Sequence, residues 1–212
     1  MVICEYKVFV RFDSNKHNII TIYMDENITT QKEQLLLKSL IEFYKQQKCL
    51  DLLLCFLKGH KKRLSLRLLD WLVTNYCKHH PIIVYDKFDQ RCNTQFMYLA
   101  YKNNLKSYSK KFFDAFARRQ RIFYNYNHMV RKINKEQIEQ FYDSSEGFVT
   151  TIAQLNAFRF FITFGIIDYA IQHLEEVEYD MIQHHKCKNK IKQNTDFHTF
   201  ISYRVKMTVK FK

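Results

Sequence analysis

Lys106, Lys110, Lys111, Arg118 and Arg121 crowd into one short reach of the chain, and Arg131 and Lys132 follow soon after. The stretch SYSKKFFDAFARRQRIFY (107–124) holds five basic residues and a single acid among its aromatic rings. Ammonium and guanidinium groups stay charged at neutral pH and only donate hydrogen bonds, so the chemistry they suit is capture of phosphate or carboxylate oxygens. From residue 101 to residue 135 ten Lys or Arg stand against one acid, Asp114. A helix that is merely solvated usually mixes signs. Laid on one helix from Leu105 to Phe123, the residues Leu105, Tyr108, Phe112, Phe116 and Phe123 form an inner stripe. Lys106, Lys110, Lys111, Arg118 and Arg121 then fall on the opposite half. On this reading the rings are core, not platforms for bases, and the cations form an outward face. Arg119 projects near the edge of the stripe, where it either snorkels or pairs with a carboxylate of a later acidic helix.

Two other basic groups have simpler explanations. Lys58, His60, Lys61, Lys62 and Arg63 follow a helix end, where positive charge suits the helix dipole. Arg204, Lys206, Lys210 and Lys212 lie on the polar side of an alternating segment, where lysines protect a sheet edge. Cys77, His79 and His80, with His184, His185 and Cys187, are ligand types that zinc accepts. Neither half has a finger spacing, and nothing in the sequence brings the halves together, so the expectation is no metal and no cofactor. Gly-rich phosphate loops, GxSxG and HExxH are absent. Asp70 and Asp168 each sit alone between apolar residues as conceivable acid–base groups, though a lone carboxylate at a helix edge is usually exposed or paired. The acids from Glu175 to Asp180 read as a solvated face.

The elements that must position these groups follow from periodicity. Residues 6–12 and 19–24 alternate around Asp13-Ser14-Asn15 and predict a hairpin. Residues 30–58 are helical with a break near Lys48, and Gly59 is a plausible C-cap. Residues 64–76 form a helix with Leu64, Leu68, Leu72 and either Trp71 or Val73 inward; Pro81 stops it, and 82–85 is a short strand. Residues 95–105 open the helix that carries the basic face. Thr151-Ile-Ala-Gln154 fits a capping box. Leu155, Phe158 and Ile162 then run to Gly165, and Ile167, Ala170, Ile171, Leu174, Val177 and Met181 mark a second helix. Residues 183–196 read as loop, and 200–211 as a closing strand. The fold class is α+β: a mainly helical core with a small antiparallel sheet formed by the N-terminal hairpin and the C-terminal strand, in one domain spanning 1–212.

Composition agrees with that frame. Of 212 residues 47% are apolar and 16% aromatic, which suits a folded core, while three Gly and one Pro argue against a turn-dense β-sandwich. The net charge of +13 points to a polyanionic partner. Six scattered cysteines suggest reduced thiols, and no apolar run approaches the length of a membrane span.

The blocks LSLRLLDWLVTNYCKHH (64–80), LAYKNNLKSYSKKFFDAFARRQRI (99–122), TTIAQLNAFRFFITFGIIDYAIQHLEEVEYDM (150–181) and YRVKMTVKF (203–211) resemble a family of uncharacterised proteins shared among large DNA viruses of the phycodnavirus, mimivirus and iridovirus groups. The likeness covers about two thirds of the chain and carries no catalytic residues over. It implies a host-cytoplasmic virus factory or the virion as the setting, and genome expression, replication, packaging or assembly as the task. The reading from sequence is thus a non-enzymatic, nucleic-acid-associated protein. It would contact the phosphates of DNA or RNA through Lys106, Lys110, Lys111, Arg118, Arg121, Arg131 and Lys132. The alternatives are an adaptor docking on an acidic viral protein and a nuclease built from scattered carboxylates.

Overall fold

In the computed structural model the described residues are 30–58, 64–88, 94–142 and 144–195, with side chains as far as 184. The anticipated hairpin at 6–24, the Gly59 cap and the closing strand at 200–211 lie outside them. So does the terminal sheet those strands were expected to form.

The architecture is α+β and mainly helical, with two small antiparallel sheets. Helices α1 (Gln31–Tyr44) and α2 (Gln47–Leu57) come from the long Leu-rich segment, which breaks at Lys45–Gln46. The Thr30 side chain caps α1 by accepting from the Glu33 amide. Helix α3 (Leu66–Trp71) starts at a Ser65 cap, widens into a π-helical turn at Leu72–Tyr76 and ends in the short α4 (Cys77–His79). Leu64, Leu68, Leu72, Trp71 and Val73 are all buried, so the π turn brings in both residues that a regular helix would have chosen between. After Pro81, β1 (Ile83–Tyr85) pairs with β2 (Thr94–Phe96), and α5 (Met97–Phe112) follows. A second sheet has the order β4-β3-β5, from β3 (Ile122–Asn125), β4 (Val130–Lys132) and β5 (Gly147–Thr150). Helix α6 (Lys135–Tyr142) links β4 to β5. The chain continues through α7 (Ile152–Thr163), α8 (Ile166–Gln172) and α9 (Leu174–Thr195).

Helix α7 is the centre of the core. Ten of its twelve residues are buried, and it packs against α1, α2, α5 and α8. A helix that is apolar on every side is stable only when enclosed. Its neighbours are also tied by polar contacts: Tyr44 Oη donates to the Leu155 carbonyl at 2.7 Å. Gly165 ends α7 in the left-handed region (φ 63°), which lets α8 turn back without strain. Gly147 lies opposite Asn125, where a Cβ would stand 2.2 Å from the Tyr124 carbonyl oxygen; only glycine lets β5 approach β3.

Three expectations fail here. The single helix from Leu105 to Phe123 does not form: Ser109 (φ 55°, ψ 170°) breaks it, the helix ends at Phe112, and Phe123 lies in β3. The stripe of 167–181 is divided at His173, which leaves Ile171 47% exposed. Residues 183–195 are helical rather than loop. They lack Gly and Pro and are rich in Lys and Gln, and polarity alone does not stop a helix.

Candidate anion-binding site

The segment that follows Ser109 is held by hydrogen bonds from α7 rather than by its own helix. Asn156 Nδ2 donates to the Phe112 carbonyl at 2.9 Å, Gln154 Nε2 donates to the Ala115 carbonyl at 2.9 Å, and the Asp114 amide donates to the Ala153 carbonyl at 3.2 Å. Each bond answers a backbone group that leaving the helix would strand in the interior. The exchange lets the successive rings of Phe112 and Phe113 both turn inward, which one helix face cannot do. Thr151 Oγ1 accepts from the Gln154 amide at 3.0 Å, as the capping pattern requires. The Gln154 side chain does not reach back to complete the box. It accepts from Thr150 Oγ1 at 2.9 Å and supports residue 115 instead.

Asp114 then organises the turn. One of its oxygens accepts from the Phe116 amide at 3.2 Å, and both bind Arg118, through Nε and Nη2 at 3.0 Å each. Burial by itself would raise the Asp114 pKa. The Arg118 hydrogen bonds, the Phe116 amide and the charges of Arg118 and Arg119 outweigh it and hold the carboxyl below its usual range. Ala117 completes the bend with φ 51°.

This segment forms one wall of a cavity of about 450 Å³. Lys110, Phe113, Asp114, Arg118 and Arg119 line that wall; Asp70, Val73 and Thr74 come from α3 and the π turn, Tyr101 and Leu105 from α5, and Ala157 and Phe161 from α7. Asp70 is half-buried, and among the described residues its carboxylate has no hydrogen-bond partner. Burial raises its pKa, with Asp114 adding to the rise and Arg118 and Lys110 opposing it. Burial, with help from Asp70, also pushes the Tyr101 phenol up to about 12, so it is a neutral donor.

A stability prediction follows from Asp70. Its folded-state pKa lies above the unfolded value of 3.8, so the folded chain binds the proton more tightly and the carboxylate lowers stability as pH rises through that interval. Asp70→Asn should therefore raise Tm at pH 7. The gain should vanish below the unfolded pKa. Thermal melts of both chains at pH 7 and pH 3 check this.

The seven cations singled out from sequence fall into two groups. Lys110 and Arg118 line the cavity, Lys106 is exposed on α5, and exposed Lys111 lies 5.0 Å from the centre of its neighbour Phe112's ring. Arg121, Arg131 and Lys132 belong to the β3–β4 hairpin, where Lys132 stands opposite Ile122 and Arg131 opposite Phe123. The Arg131 guanidinium lies over the ring of Phe141 at 4.2 Å and of Phe123 at 5.2 Å. Arg118 is bound to Asp114 and is not a free cation. Arg119 is exposed at the cavity and does not pair with the acidic helix. Two of those acids bond the helix and π turn of 66–76 instead: half-buried Asp180 accepts from Trp71 Nε1 at 2.8 Å, and exposed Glu176 from Tyr76 Oη at 3.4 Å.

Other candidates have structural roles. Asp168 pairs with Lys87 at 2.5 Å. Cys77 is buried with Sγ 3.0 Å from the Val73 carbonyl, and burial pushes its thiol up to about 11, away from the thiolate a metal needs. His80 stacks on Tyr76 and His184 lies against Trp71, while the side chains of His185 and Cys187 lie outside the described residues. Among the described residues no three His, Cys, Asp or Glu side chains gather as a metal site would require, and no helix is long and apolar enough to cross a membrane.

One group escaped the sequence reading. Arg159 binds Ser39 Oγ at 2.8 Å, Asn156 Oδ1 at 2.7 Å and Tyr108 Oη at 3.2 Å, tying α1, α5 and α7 together. The available signal was the spacing of Gln154, Asn156 and Arg159, polar residues inside an otherwise apolar helix.

The family model described as "Family of unknown function (DUF7197)" matches residues 15–207. The "Uncharacterized protein L507" of Acanthamoeba polyphaga mimivirus is 32% identical over 200 residues, covering 94% of this chain and 72% of that protein. No solved structure matches. A match over nearly the whole chain, with a mimivirus relative, bears out an uncharacterised family found in large DNA viruses. The chain belongs to the family of unknown function DUF7197.

Proposed function

We propose that this is a non-enzymatic viral protein that associates with nucleic acid, holding phosphate backbones during genome expression, packaging or assembly of the virion core. The proposed setting is a cytoplasmic virus factory or the particle, with relatives extending to the phycodnavirus and iridovirus groups. One observation carries the reading. Lys106, Lys110, Lys111 and Arg119 come from one continuous segment, all four are exposed, and none has a carboxylate partner among the described residues. The one acid in that part of the chain, Asp114, is occupied by Arg118. Arg121 and the hairpin cations Arg131 and Lys132 extend the charge beyond it. Exposed lysine and arginine without counter-charges are hydrated at little cost, and on a polyanion they release condensed counterions.

Salt titration tests this. With about four phosphates neutralised, log K should fall against log salt with a slope of about −3 on single strands and about −3.6 on duplex. Fluorescence anisotropy with labelled DNA and RNA of mixed sequence measures it. Absence of binding at low salt, or binding indifferent to salt, contradicts the reading.

A second reading is a structural or adaptor protein whose basic segment docks on an acidic viral protein, and the β1–β2 ribbon adds an apolar surface that nucleic acid would not use. Ile83 and Phe96 are direct partners there, 65% and 48% exposed, with Tyr85 and Leu99 also exposed nearby. Capture from infected cells separates the two: a partner lost on nuclease treatment supports nucleic acid, and one retained supports the adaptor.

A further inference from the structure

The cavity beside the basic segment has features that backbone binding does not use. Among the described residues Lys110 and Arg119 line it without a hydrogen bond or ion pair, and the Asp70 carboxylate, from another wall, has no hydrogen-bond partner. The rings of Tyr101, Phe113 and Phe161 also line it, Tyr101 half-buried and the two phenylalanines buried. A volume of about 450 Å³ far exceeds one ion and falls within the ~300–1,000 Å³ of small-molecule sites. Two cations and a carboxylate without polar partners among the described residues, with the half-buried Tyr101 ring beside them, call for a ligand with an anionic end, a donor group and a planar body. The wall is bracketed by two residues at positive φ, Ser109 and Ala117, and faced by the π-helical turn. Neither conformation persists unless its surroundings enforce it, and both recur at functional sites.

We propose that this cavity binds a nucleoside 5′-monophosphate group, with the phosphate on Lys110 and Arg119, the base against Tyr101, and an exocyclic amine donating to Asp70. The group comes either from a free nucleotide or from the phosphorylated end of a strand. The inference extends the phosphate-directed reading above and names a specific ligand for one part of the same surface.

Isothermal titration of the full chain with AMP, UMP and adenosine tests the chemistry. A short DNA strand bearing a 5′-phosphate, compared with the same strand bearing a 5′-hydroxyl, tests the source. AMP should bind at micromolar to millimolar Kd and adenosine about 10-fold more weakly or worse. Arg119→Gln, an exposed site whose loss leaves the core intact, should weaken AMP binding about 10-fold. AMP should bind more tightly than UMP, and Asp70→Leu, which removes the acceptor, should erase that preference, with circular dichroism and Tm showing that the variant folds. A free-nucleotide site gives AMP binding with the two strands equal. A strand-end site gives the phosphorylated strand about a 10-fold advantage, which Arg119→Gln cancels. No AMP binding at about 10 mM together with equal strand affinities, or AMP binding unchanged in Arg119→Gln, overturns the proposal. If backbone binding fails, the 5′-hydroxyl strand does not bind while AMP still does. If the cavity inference fails, the 5′-hydroxyl strand binds with the steep salt dependence and AMP does not.

Discussion

Gln154→Leu should cost about 2–5 kcal/mol of folding stability, because each buried polar group it strands costs ~1–3 kcal/mol. Gln154 is 3% exposed, and its side-chain oxygen and nitrogen serve Thr150 Oγ1 and the Ala115 carbonyl. Leucine matches its size but answers neither. The Ala115 bond is one of three that α7 supplies to residues 112–115, so its loss also loosens the wall that carries Lys110 and Arg119. Urea unfolding monitored by circular dichroism measures the first effect. The Thr150→Val, Gln154→Leu double variant separates hydrogen bonding from shape. It removes the stranded hydroxyl and should recover ~1 kcal/mol relative to Gln154→Leu alone. Strict additivity of the two losses would contradict this account of Gln154.

Reversing Lys106, Lys110, Lys111 and Arg121 to Glu should weaken nucleic-acid binding by ~100-fold or more near physiological salt, since each lost phosphate contact removes a counterion-release contribution and each new carboxylate repels the backbone. The fold should survive. The three lysines are exposed, Arg121 is half-buried, and none of the four has a carboxylate partner among the described residues. Arg118 is left in place deliberately. A glutamate there would face the buried Asp114 carboxylate and unsettle the Phe116 turn, so lost binding would report a damaged loop rather than a lost contact. Circular dichroism and Tm on the same sample supply the folding control.

Local signals made part of this structure legible. The two helices of the Leu-rich segment, a helix within 64–76, the strand after Pro81 and the Thr151 hydroxyl cap appear, although 72–76 widens into a π turn and Gln154 leaves the capping box incomplete. The basic segment was half legible. Phe112 is buried beyond the break at Ser109, and Leu105 and Tyr108 do face the core because the helix holds that far. Its end is set by Gln154 and Asn156, whose bonds to Ala115 and Phe112 span 39 and 44 positions. No propensity at Ser109 or Ala117 announces a positive φ, since neither is Gly or Asn. The strands β3, β4 and β5 run to three or four residues each, too short for alternation to register. Their hairpin depends on His128 at φ 62°, with the Asn125 side chain accepting from the Asn127 amide. The cavity was invisible for a related reason. Asp70, Tyr101, Arg119 and Phe161 come from four separate stretches, and only tertiary packing makes them neighbours.

Photo-crosslinking of the full chain to a thymidine-analogue strand, followed by peptide mapping, asks directly where nucleic acid sits. Crosslinks concentrated between residues 106 and 132 are the outcome this account requires. Crosslinks confined to the other basic clusters, at 58–63 or 204–212, would show that the middle segment is only a solvated face.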